Sequence, residues 1–99
     1  MKIPKKLKLF GFDIEVEFDD KLSYEQDALG LALFHKNKII LQSNNPEKPT
    51  PQVQIEKHFF HELTHWILYV IGEETLTHNE KFVDLFARVL HQAIVTMEY

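Results

Sequence analysis

An α+β fold is predicted: a small three-stranded sheet, antiparallel or mixed, packed against two C-terminal helices. Three observations carry that expectation. Apolar residues alternate with a period of two through the first part of the chain, then recur with helical period from about residue 50 onward. Strands first and helices after is the order of helices laid on a sheet, rather than helices alternating with strands. With 99 residues and 44% apolar content, the chain makes one domain, residues 1–99, with one core and no room for a second lobe.

In residues 6–18, Leu7 and Leu9 alternate with Lys6 and Lys8, then Phe12, Ile14, Val16 and Phe18 with Asp13, Glu15 and Glu17. This reads as one strand with a wet face, bent at Gly11 and ended by Asp19, Asp20 and Lys21. A second strand near Ala28–Phe34 and a third near Lys38–Gln42 are joined by His35-Lys36-Asn37 as a β-hairpin. Ser43 to Pro51 holds three prolines and two asparagines and reads as a loop. The first helix is expected to start with Thr50 as N-cap and Pro51 at its first position. Its apolar face is Val53, Ile55, Phe59, Leu63, Trp66, Ile67 and Val70, and Gly72 stops it. The second starts near His78 and carries Phe82, Val83, Leu85, Phe86, Val89, Leu90, Ala93, Ile94 and Met97.

Composition excludes several function classes. The net charge is −4, from 15 acidic and 11 basic residues, and no basic stripe with interleaved aromatics is present, so nucleic acid is not an expected partner. No apolar run reaches the length of a membrane span. Lys2, Lys5, Lys6 and Lys8 cluster near the start, but Pro4 and the alternation after it break any apolar stretch of a signal peptide. The absence of cysteine removes disulfides, thiolate metal sites and cysteine nucleophiles. A cytoplasmic monomer without membrane contact is expected.

The chemistry concentrates in His61-Glu62-Leu63-Thr64-His65, an HExxH pentapeptide inside the first helix. Histidines four apart lie on one helix face, about 6 Å apart along the axis, where both imidazoles reach one tetrahedral zinc. The glutamate beside the first sits where it can act as a base on a water at that zinc, the catalytic part given to Glu62. Six histidines raise the odds of accident, yet residue frequencies alone give such a pentapeptide a chance of roughly 3–4%. The extended HExxHxxGxxH form fails, with Leu68 and Ile71 where glycine and histidine belong.

The third ligand is expected at the start of the second helix. Glu80 is favoured, since two histidines and a glutamate form a known catalytic zinc set. Two alternatives stay open: Thr77-x-x-Glu80 as a capping box that needs no metal, and His78 as the ligand. Asp84, four residues after Glu80 on the same face, is placed to accept the second ring N–H of His61 and so orient it. Tyr69, His58, His78 and Tyr24 are candidates for stabilising an oxyanion. His35 and His91 read as structural or solvated.

His61-Glu62-Leu63-Thr64-His65 followed by Asn79-Glu80-Lys81-Phe82-Val83-Asp84 resembles the HExxH…NExxxD pattern of thermolysin-type gluzincins, with a shorter spacing. The chain as a whole resembles small phage- and prophage-type metallopeptidases, distant relatives of the ImmA/IrrE-like group. That resemblance implies a zincin-like minidomain, with Zn2+ held by His61, His65 and Glu80 and a peptide or protein as substrate. It implies peptide-bond hydrolysis by a zinc-polarised water with Glu62 as base. The alternative is a zincin-like regulatory or interaction protein with weak or no proteolysis. Imidazole and carboxylate ligands also accept other divalent ions.

Overall fold

The computed structural model describes residues 1–99. Four strands form one sheet: β1 (Lys6–Leu9), β2 (Phe12–Asp19), β3 (Gly30–Leu33) and β4 (Lys38–Gln42). The helices are α1 (Leu22–Glu25), α2 (Gln52–Val70), α3 (Glu74–Thr77) and α4 (Glu80–Val95), of which α1 and α3 are single turns. The α+β class and the mixed sheet agree with expectation; the count of three strands does not.

The extra strand arises at Phe10-Gly11. Both residues take positive φ, 45° and 82°, the geometry of a two-residue type I′ turn, so the expected bend is a full reversal. The two halves of the alternating run pair with each other, Leu7 opposite Ile14 and Leu9 opposite Phe12. β4 then lies parallel to β2, with Val16 beside Ile39 and Phe18 beside Leu41, and antiparallel to β3. The order across the sheet is β1-β2-β4-β3, which leaves β3 on an edge. The β3–β4 hairpin forms as expected, turning through a 3₁₀ turn at Phe34–Lys36 and Asn37 in the left-handed region.

The registers put Leu7, Ile14, Val16, Ile39, Leu41, Ala32 and Gly30 on one face of the sheet. α2 covers that face. Ile14, Ile39, Leu41, Phe59, Phe60, Trp66 and Ala87 form the buried cluster. Trp66 is fully buried, and its indole N–H donates to the Lys38 carbonyl at 3.0 Å, tying the middle of α2 to the start of β4.

α2 begins at Gln52, with Pro51 rather than Thr50 in the capping position and no side-chain cap. It ends at the expected glycine. Gly72 takes φ 79°, its N–H donates to the Tyr69 carbonyl, and Glu73 N–H donates to the Leu68 carbonyl. These are the two bonds of a Schellman motif, and they turn the chain back on itself. α4 then packs on α2 through Val83, Ala87 and His91, whereas Leu85, Phe86, Val89 and Ile94 of the same helix, and Met97 just past it, are exposed. One neighbour covers only one stripe of a helix, and the far side of α4 has none. No helix is long and apolar enough to cross a membrane.

Candidate metal centre

Residues 61–65 lie in the middle of α2, so His61 and His65 sit one turn apart, with ring centroids 5.0 Å apart. The reversal at Gly72 and the single turn of α3 deliver Glu80, in the first turn of α4, to the same place. Its carboxylate meets both rings: His61 Nε2 is 3.2 Å from Oε2 and His65 Nε2 is 3.5 Å from Oε1. One nitrogen from each imidazole and one carboxylate oxygen fall within 4.8 Å of one another.

Glu80 is free for this because the helix start is capped by another residue. Asn79 occupies the N-cap, and its side-chain oxygen accepts from Phe82 N–H at 3.1 Å. The alternative capping box of Thr77 and Glu80 therefore does not form. His78 lies at the C-cap of α3, exposed and outside the converging set.

The donor set fits a tetrahedral dication. Bonds of about 2.0–2.1 Å would need donors about 3.3 Å apart; the two imidazoles lie at about that distance from Glu80, each from a different carboxylate oxygen. Glu80 is exposed, so solvent reaches the converging groups from its side. Burial pushes the His65 pKa down, the nearby His61 adds to this, and Glu80 and the Thr77 carbonyl oppose it. The outcome favours a neutral ring, the form that binds a metal.

Glu62 follows His61 on α2, near enough to Glu80 to feel its charge, and its side chain lies against Gly30 of the sheet. It is 8% exposed, with its carboxyl pKa raised to about 7, first by burial and then by the Glu80 charge. An opposing contribution comes from a backbone hydrogen bond with Ala32. Gln42 N–H donates to the Leu29 carbonyl, so in an antiparallel pair the main-chain groups of residues 31 and 33 also face β4, while those of Gly30 and Ala32 face outward. Glu62 thus rests against the free edge of β3. Gly30 makes the space: a β-carbon there would stand 3.0 Å from Glu62 Cγ and 3.1 Å from Oε2.

A cleft of about 830 Å³ opens beside these residues, with His61, Glu62, Gly30, Asp84 and Arg88 among its lining. Asp84 reaches this cleft, but its carboxylate pairs with Arg88 at 3.0 Å, one turn along α4, and makes no bond to His61. The partner that does orient a ring is one the sequence did not flag in that role: Thr77 Oγ lies 3.0 Å from His65 Nδ1. As a threonine ahead of an acidic helix start, it carries the ordinary signal of a cap.

Among the oxyanion candidates, His58 lines the cleft, and burial followed by the charge of His61 lowers its pKa. Tyr69 stacks on Phe34 at 4.2 Å, and Tyr24 is exposed on α1, away from the centre. His35 is exposed in its turn. His91 is buried against Glu56, Nε2 to Oε1 2.9 Å, and the Glu56 carboxylate also accepts from the N-terminal ammonium at 3.0 Å. Comparison with protein-family models, with curated proteins and with solved structures finds no match.

Proposed function

We propose that this chain is a zinc-dependent peptidase of zincin-like, gluzincin type, with His61, His65 and Glu80 as metal ligands and Glu62 as the general base. One observation carries the reading: two imidazoles from α2 and a carboxylate from α4 converge within 4.8 Å at the side of a cleft that also holds a buried glutamate. A bound zinc ion supplies a Lewis acid that polarises a carbonyl and makes a water acidic near neutral pH.

The residues of the chain do the rest. Glu62, with a carboxyl pKa near the operating pH, takes a proton from the attacking water and passes it to the leaving amine as the C–N bond breaks. The outward-facing main chain of Gly30 and the carbonyl of Ala32 offer an extended peptide an edge to pair with, the Ala32 N–H being taken by Glu62. Its backbone donors and acceptors would hold the scissile bond beside Glu62. The polar lining of the cleft, with Asp84 and Arg88 on one wall, suits a hydrated peptide more than a lipid or a flat aromatic ligand.

The test is metal content and affinity of wild type, Glu80→Gln and Glu62→Gln, followed by cleavage of a mixed peptide library. One zinc per chain is expected, weakened by Glu80→Gln and kept by Glu62→Gln, with cleavage lost in both. A wild-type chain that takes up no zinc, or a Glu80→Gln variant that binds it equally well, overturns the assignment. A second reading, partner recognition with weak or no cleavage, is favoured by the exposed apolar row Leu85, Phe86 and Val89 on α4. Zinc binding without cleavage of any peptide is its signature.

A further inference from the structure

His65 has two ring nitrogens with different tasks. Nε2 faces Glu80 and the converging donors, whereas Nδ1 faces Thr77 Oγ at 3.0 Å. Thr77 is 6% exposed, so little water competes for this hydroxyl. The hydroxyl also lies 3.5 Å from the main-chain carbonyl of His65, an oxygen that can only accept. A hydroxyl proton turned toward that carbonyl leaves oxygen lone pairs for the ring, and the ring must then donate from Nδ1. The Thr77 carbonyl is a second acceptor toward the ring, so Nδ1 keeps the proton and Nε2 is left without one, aimed at the ligand position.

From this geometry we infer that Thr77 is a positioning residue: its hydroxyl holds His65 as the Nδ1–H tautomer and so makes Nε2 the ligating atom. The inference deepens the metal-centre reading and partly rests on it. It also assigns Thr77 the task the sequence suggested for Asp84, though on the other histidine. The location adds a consequence. Thr77 closes α3, the single turn that carries the chain from Gly72 to Glu80. One buried hydroxyl therefore links the orientation of the second ligand to the segment that delivers the third. Partners of this kind are worth about 10–100-fold in metal affinity.

The experiment compares Thr77→Val, which keeps the shape and removes the hydroxyl, with Thr77→Ser, which keeps the hydroxyl. Zinc affinity is measured by competition with a chelator, and the His65 tautomer is read from ¹⁵N ring shifts of the zinc-free protein, with and without Glu80→Ala, which removes the carboxylate 3.5 Å from Nε2. The valine variant is expected to bind zinc about 10–100-fold more weakly and to show a mixed tautomer. The serine variant should stay within a few-fold of wild type with the Nδ1–H form kept. Equal zinc affinity and an unchanged tautomer in the valine variant overturn the inference, as does a serine variant as impaired as valine while equally well folded. A wild type that binds no zinc, but loses its Nδ1–H tautomer in the valine variant, sinks the peptidase reading and leaves the Thr77 assignment standing.

Discussion

Replacing Gly30 with alanine tests the seat of Glu62 without touching a charged group. The new β-carbon would stand 3.0 Å from Cγ, 3.1 Å from Oε2 and 3.3 Å from Cδ of Glu62, where carbon contacts are ordinarily about 3.5–4.0 Å. Overpacking of this kind costs about 2 kcal/mol, the middle of the usual range. Against it stands the gain of replacing a strand glycine by alanine, about 0.5–1 kcal/mol. The net expectation is a loss of about 1 kcal/mol in the wild-type background. When Glu62 is first changed to alanine the clash disappears, and the same substitution should stabilise by about 0.5–1 kcal/mol. The assay is a double-mutant cycle by urea unfolding, with a coupling of about 2 kcal/mol expected. Zinc affinity should be unchanged in Gly30→Ala, because none of the three ligands meets the new methyl. Peptide cleavage should fall about 100-fold, the usual result of displacing a reacting group by about 1 Å. Equal stability changes in the two backgrounds would refute the claim that Gly30 exists to make room for the Glu62 side chain.

Three further outcomes follow from other parts of the fold. Phe10 is 79% exposed and held at φ 45°, so Phe10→Asn should raise the unfolding free energy by about 1 kcal/mol; no change in urea midpoint would count against the turn geometry. Trp66→Ala, which empties the centre of the core and orphans the Lys38 carbonyl, should cost about 3–5 kcal/mol in the same assay. Glu56 has its pKa lowered, first by the hydrogen bond from His91 and next by that from the N-terminal ammonium. Its folded value therefore lies below the unfolded value of about 4.3, so its stabilisation is complete above that value and is lost as pH falls through the folded one. Glu56→Gln should be less stable than wild type at pH 7 and should lose part of the acid-side decline; parallel stability curves for the two proteins would rule this out.

How much of this was legible in the sequence varies with the range of the interaction. Period-two alternation located the strand residues from Leu7 to Phe18, and helical period located α2, because both patterns are local. The turn at Phe10-Gly11 was hidden because phenylalanine is not a turn residue and its backbone conformation is imposed by strand pairing on both sides. The parallel register of β2 with β4 left no local mark, since it depends on where α1 and β3 place the chain. On α4 the apolar positions outnumber what one neighbouring helix can cover, so Val83 and Ala87 are buried while Leu85 and Val89 are not. In the site, spacing within one helix singled out His61 and His65, and the acidic start of α4 suggested Glu80, which the fold brings beside them. The contacts of Thr77 with His65 and of Gly30 with Glu62 were not legible, because each joins residues of different elements. The Glu56–His91 pair was missed for the same reason: it exists only where α2 meets α4.

The edge position of β3 has a consequence for timing. His61, His65 and Glu80 come from one contiguous stretch of chain, joined by the short reversal at Gly72, so their meeting closes only a small loop. Glu62 is seated by a strand far away in sequence, one with a neighbour on a single side. Edge strands with one neighbour belong to the least protected parts of a fold and open locally while the core stays shut. Each such opening takes the Glu62 carboxyl out of its dry seat and into water, where its acidity returns to that of an ordinary side chain. In the proposed peptidase, Glu62 would then serve as base only for the fraction of time that β3 stays closed, whereas His61, His65 and Glu80 would stay together throughout. A peptide that pairs with this edge would lengthen the closed interval, so the arriving strand would itself keep the Glu62 carboxyl in its seat.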